Sequence, residues 1–325
     1  MRIRDKIKKP RRPVVAYEIL PPREKDGTLN SYAETISSLL SQTHIDAINI
    51  PEVHDEAGRG DRPVANQKRG EPREFGRLLQ DIVGIEAIIN RVVVHDDFDT
   101  QMRWLEETNK DFEIENMIIV GGESSNVSYP GPTVNEALNA ISSAYNKNGG
   151  DVFCGGIAIP SRKEESKNLI KKSKYGSEFF TTQVLYDSEN TIKMINNYQR
   201  RCNKLKTFPR RILLSFAPVS SQKNIEFLKW LGVEIPYNTE RYLQGRPGSM
   251  KERSLDVAIE VLNEILTNIE ENDLRVPVGL NVEHIMSYNF QSSIEMLQEL
   301  ANIYRKFCIN TQQYNSIKHK FVPKF

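Results

Sequence analysis

The chain has 325 residues, 27% of them charged, and a net charge of +1. That length holds one large domain or two small ones, and the balanced charge excludes a global field that selects nucleic acid or an anionic membrane. Three distant cysteines (Cys154, Cys202, Cys308) and five ungrouped histidines give neither a disulfide framework nor metal-ligand spacing, so reduced thiols and no metal are expected.

The first twelve residues, MRIRDKIKKPRR, are locally basic. They lack the serine content and apolar face of a presequence and read as a solvated arm over residues 1–12. No apolar run approaches the ~18 residues needed to cross a bilayer. The expectation is a cytoplasmic protein that binds neither membrane nor nucleic acid.

From residue 14 the chain alternates short apolar runs with longer amphipathic stretches. The runs are 14–19, 45–50, 86–94, 117–120, 152–159, 179–185, 211–216 and 276–282. Most are continuous in Val, Ile, Leu and Phe, which suits parallel strands covered on both faces. Between them stand helix signals. Thr133 with Glu136 and Ser161 with Glu164 have the spacing of capping boxes. Asp187 and Ser220 or Ser221 are candidate caps, and Leu255, Ile259, Leu262 and Leu266 mark one stripe of a long helix over 249–272.

Eight strand–helix units in this length predict an α/β fold, a single-domain (β/α)8 TIM barrel over residues 13–310, followed by a tail over 311–325. A doubly wound sheet would be expected to carry a glycine fingerprint after an early strand, and no G-x-G-x-x-G occurs. The polar stretch 51–73 reads as a mobile loop on the catalytic face.

Chemistry in such barrels gathers at the C-terminal strand ends. Those ends carry, in order, Glu18, Asn49, Arg91, Glu123, Ile159, Gln183, Ser215 or Ala217, and Asn281. Glu18 is the sharpest candidate. A carboxyl flanked by Tyr17, Ile19 and Leu20 is partly desolvated, which raises its pKa toward that of a general acid working near neutrality. Pro21 and Pro22 restrict the backbone behind it. A glutamate paired with a neighbouring arginine is the alternative. Glu123 follows two glycines that free the turn, and Gln183 is an amide inside an apolar strand that must find partners. A turn residue and a structural hydrogen bond are their plainer readings. Asn168 and Lys172 share one helix face.

With those residues in view, the chain resembles the methylenetetrahydrofolate reductase family. AYEILPP (residues 16–22) is similar to the family's FEFFPP, with Glu18 in the place of its catalytic glutamate. FFTTQVLYD (179–187) resembles its I-T-Q-F-F-F-D strand and places Gln183 at the glutamine that contacts the pterin. SKNLIKKSKYGSEF (166–179) resembles the preceding helix, where Asn168 and Lys172 fall on flavin-contacting positions. SFAPVSS, VEIP and GLN continue the match, which runs over residues 14–307.

The resemblance implies reduction of 5,10-methylenetetrahydrofolate, or a related methylene-pterin, to the 5-methyl form. NADH or NADPH supplies the hydride by way of FAD, and Glu18 protonates N10. It places Glu123, Gln183 and Asn49 toward the folate or pterin, and Arg91, Ile159, Asn168 and Lys172 toward the flavin. Family likeness also suggests a homo-oligomer. The departures fall mostly on the flavin side: the family's R-G-D is here Gly121, Gly122 and Glu123, its third-strand histidine is Arg91, and the tyrosine of its A-Y-P is Ile159. Two alternatives follow: the flavin is held unconventionally, or it is lost and hydride passes directly from the nicotinamide. Rival readings are an accessory pterin-binding barrel without catalysis and a pterin-dependent methyltransferase.

Overall fold

The computed structural model of the chain describes residues 1–41, 43–54, 60–122 and 127–320, with side chains as far as 311. The eight expected strands are all formed. They are β1 (Val15–Ile19), β2 (Ala47–Pro51), β3 (Ala87–Val92), β4 (Asn116–Val120), β5 (Phe153–Ala158), β6 (Phe179–Val184), β7 (Arg211–Phe216) and β8 (Val278–His284). Each pairs in parallel with its neighbour in sequence, and β8 closes on β1.

Around them run α1 (Ile3–Ile7), α2 (Leu29–Leu40), α3 (Pro72–Val83), α4 (Phe98–Lys110), α5 (Val134–Ala140) and α6 (Glu165–Lys174). They are followed by α7 (Glu189–Leu205), α8 (Gln222–Trp230), α9 (Tyr237–Gln244), α10 (Met250–Glu271) and α11 (Phe290–Lys320). Thr133 and Glu136 form the expected capping box, Ser221 caps α8, and a further box joins Ser249 to Glu252 at the start of α10. Ser161 caps nothing. Helix α6 starts later, from Glu164 in the left-handed region at φ 62°, with no side-chain cap. Helix α11 runs from Phe290 to Lys320. Among the described residues, no helix is long and apolar enough to cross a membrane.

Alternation along each strand sorts the side chains into two cores. Tyr17, Ile48, Ile50, Ile89, Phe180, Ile212 and Leu214 face the helix layer. Ala16, Ala47, Ile88, Ile118, Phe153, Phe179 and Leu213 fill the barrel interior. The interior core also takes Ile3 and Ile7, which are 1% and 3% exposed. Ile3 and Ile7 are thus docked rather than solvated, while residues 8–12 are exposed. The pair spaced by four puts both isoleucines on one side of α1, and that side stoppers the N-terminal end of the barrel.

Arg211 holds the stopper in place. Its guanidinium is buried and donates to the carbonyls of Ile7 (3.2 Å), Lys9 (2.6 Å) and Pro10 (3.3 Å), and to that of Val278 on β8. The Glu86 carboxylate accepts from the Ile3 amide and so covers the free end of α1. Loss of a buried isoleucine side chain leaves a cavity, so Ile7→Ala is expected to destabilise the fold by about 2–4 kcal/mol. Lys9→Ala, at an exposed side chain, should stay within about 0.5 kcal/mol. Urea denaturation of the two variants checks both values.

Candidate active site

The C-terminal end of the barrel carries the polar side chains. Glu18 stands in register with Asn49 on β2 and with Glu283 on β8. Neighbouring strands lie about 4.8 Å apart, so the three side chains sit side by side on the inward face. Asn49 Nδ2 donates to Glu18 Oε2 at 2.7 Å. Asn281 is the hub of the group. Its Nδ2 lies 3.5 Å from Glu18 Oε2, 3.3 Å from Glu283 Oε1 and 3.1 Å from Ser215 Oγ. Ser215 in turn meets Thr181 Oγ1 at 3.2 Å.

Both carboxyls are half-buried at the rim. Desolvation pushes the Glu18 carboxyl up to about 7, against the opposing hydrogen bonds of Asn281 and Asn90. Desolvation likewise holds Glu283 well above the usual carboxylate range, and the neighbouring charge of Glu18 adds to it. The buried carbonyl oxygens of Asn49, Asn90 and Asn281 have no hydrogen-bond partner. Unsatisfied buried acceptors of this kind mark a place built for a donor-bearing group.

The chain behind Glu18 is fixed as the double proline suggested. Arg69 Nη1 donates to the Pro21 carbonyl at 2.7 Å, and the Gly70 amide donates to that of Pro22 at 2.8 Å. The segment from residue 60 to 71 thus lies across the rim. At its other end Trp230 Nε1 donates to the Gly60 carbonyl at 3.3 Å, and Arg62 stacks on Trp230 and Phe227. In place of the mobile loop expected over 51–73, the described part is anchored at both ends.

The remaining candidates scatter. Gln183 is half-buried at the end of β6, where the register against β7 shifts, and its Nε2 donates to the Leu231 carbonyl at 3.1 Å rather than to the Glu18 group. Glu123 lies outside the described residues. Arg91 is a correction. It falls on the outward position of β3, where its guanidinium packs 4.4 Å above Trp104 and pairs with Glu52, Asp96 and Gln101. The inward residue there is Asn90, one place earlier. On α6, Lys172 Nζ donates to the Ile157 carbonyl at 2.5 Å and lies 3.7 Å from Glu165, while Asn168 Nδ2 donates to Glu165 at 2.8 Å. The other Glu165 oxygen accepts from the Ile159 amide at 3.1 Å. Glu165 and Lys172 are thereby joined in a closed network under Ile159. Glu283 was missed from sequence, although alternation from Asn281 leads straight to it.

A family model described as methylenetetrahydrofolate reductase matches residues 2–301. The chain belongs to the methylenetetrahydrofolate reductase family. A solved structure described as an uncharacterized protein from Clostridium thermocellum that binds two copies of 5-methyl-5,6,7,8-tetrahydrofolic acid superposes with a TM-score of 0.74. It is 22% identical, over 93% of this chain and 99% of that one. N-(5'-phosphoribosyl)anthranilate isomerase from Pyrococcus furiosus gives a TM-score of 0.45 at 10% identity, over 89% of this chain and 98% of that one. A search of curated protein sequences found no significant match. Membership of the reductase family agrees with the sequence resemblance and with the closed barrel.

Because Glu18 and Glu283 both have raised pKa values in the fold, folding favours their protonated forms. Their contribution to stability is complete below the unfolded glutamate value of about 4.3, and for Glu18 it is lost as pH rises through about 7. Glu18→Gln is therefore expected to flatten the fall of Tm between about pH 5 and pH 8. Parallel Tm profiles for wild type and variant, measured by scanning calorimetry, would refute the desolvated-acid description.

Proposed function

We propose that this member of the family reduces 5,10-methylenetetrahydrofolate, or a closely related methylene-pterin, with a reduced nicotinamide as hydride source. The observation that carries this reading is Glu18, a carboxyl with a pKa near neutrality, held by amides at a rim with unsatisfied acceptors. A group half protonated at neutral pH can both hold and deliver a proton. The binding of 5-methyltetrahydrofolate by the structural neighbour supports the choice of carrier.

In this scheme Glu18 gives its proton to N10 of the folate. The bond from N10 to the bridging carbon breaks with its electron pair staying on nitrogen. The N5 lone pair completes an iminium, and the carbon accepts hydride from the nicotinamide. The proton and the hydride together account for the change from methylene to methyl. Asn49 and Asn281 orient the acid, while the free Asn carbonyls are acceptors for the N–H groups of a pterin edge.

FAD fits these residues poorly. Lys172 and Asn168 are bound within the network around Glu165, Arg91 is turned to the helix layer, and Ile159 offers no polar side chain. The unsatisfied atoms nearest the acid are on Asn49, Asn90 and Asn281 instead.

The purified protein is expected to oxidise NADH or NADPH when methylenetetrahydrofolate is added, and to bind 5-methyltetrahydrofolate by isothermal titration calorimetry. Glu18→Gln should cut turnover by about 10²–10⁴-fold and leave binding nearly intact. Binding without oxidation of either nicotinamide would replace the reductase by a folate-binding barrel. Full turnover in Glu18→Gln would remove the acid role.

A further inference from the structure

Glu18 and Glu283 stand in register on neighbouring strands of the barrel, on its inward face. Asn281 Nδ2 lies within reach of Glu18, Glu283 and Ser215, and the Ser215 hydroxyl in turn hydrogen-bonds Glu283. Asn49 and Asn90 add amide hydrogen bonds to Glu18. All of these partners are neutral, so with both glutamates ionised two like charges would stand side by side on the inward face of a barrel with no counter-charge. Three buried asparagine carbonyls nearby add further acceptors without a donor. One proton kept on the pair removes the second of these charges and adds an O–H donor.

No described cation takes the place of that proton. Arg69 and Arg23 are bound to the Pro21 carbonyl and to Asp26, and Lys172 to the Ile157 carbonyl. Arg91 is paired with Glu52 on the outer face. His284 follows Glu283 but packs edge-on against Phe290 at 5.1 Å, and burial keeps it neutral, with its pKa pushed down to about 4. Tyr186 gives its hydroxyl to the Ala217 carbonyl at 2.8 Å, and Tyr17 meets Ser293 at 2.6 Å on the helix side. Among the described residues, no lysine, arginine or histidine pairs with Glu18 or Glu283.

We propose that Glu18 and Glu283 hold one proton between them near neutrality, with Glu283 as a positioning residue that keeps this proton on the pair until the substrate takes it. Glu283 is not itself asked to touch the substrate. Its charge makes a second ionisation beside it costly, so the proton stays where Glu18 can deliver it. When the proton leaves, the pair becomes doubly negative next to a substrate that has become an iminium cation. The repulsion that retained the proton is then offset by attraction to that cation. The identity of the acceptor rests on the folate reading. The shared proton does not.

The test uses the full chain with glutamate labelled at the carboxyl carbon with ¹³C, titrated by NMR without substrate. In the wild type the Glu18 and Glu283 resonances should each respond in two common steps, the signature of a coupled pair. Glu283→Gln should make Glu18 at least about tenfold stronger as an acid, and Glu18→Gln should do the same to Glu283, because linkage is reciprocal. Two independent single-step curves in the wild type, or a change of less than about twofold in either variant, would overturn the proposal. The wild-type curves decide even if a variant fails to fold. A coupled titration in a protein that reduces no folate would uphold the pair and sink only the substrate assignment.

Discussion

A closed parallel barrel gives each strand end one inward side chain in every two, and the rim chemistry follows from that alternation. Glu18, Asn49, Asn281 and Glu283 share the inward set, and the register of β1 against β2 and β8 lines three of them up. The same rule removes Arg91. Its guanidinium lies on the other face of β3, in a cage of Trp104, Glu52, Asp96 and Gln101. A carboxyl that alternation forces inward has nowhere to place its charge except on neighbours. Those neighbours are amides and another acid, so desolvation wins over hydrogen bonding and the acid stays weak.

Much of the architecture was legible because its causes are local. Continuous apolar runs gave eight strands, and the Thr133 and Glu136 spacing gave a helix start. Glu18 was legible for the same reason, since its apolar flanks and the double proline are adjacent in sequence. Glu283 was not, because the expected strand stopped one residue short of it, at 282, and its importance comes from Glu18 across the sheet. Arg91 was misplaced by reading the last polar residue of a strand without asking which face it took. The insertion of Ile3 and Ile7 into the barrel was hidden by the surrounding lysines and arginines, although an apolar pair four apart was in plain view.

The α6 network shows what limits a side chain that a sequence resemblance singles out. The resemblance points Asn168 and Lys172 toward a flavin, whereas in the structure a buried Glu165 holds both. A carboxylate beside a lysine largely hidden from water neutralises it locally, and the Ile157 carbonyl takes a further donor. Motif identity alone therefore says little about what a conserved-looking side chain is free to do. Its hydrogen-bond partners say more.

The stopper at the base of the barrel bears on how the chain is made. Residues 3–10 leave the ribosome long before Arg211, whose side chain holds them from 204 positions away at Ile7. Until β7 and β8 have been added, Ile3 and Ile7 have no complete interior to enter. Contacts this distant in sequence form late, because a long loop must close first. The opening residues of the chain are thus among the last to be buried, and during synthesis they present an apolar pair on a cationic segment, a surface of the kind that chaperones shield.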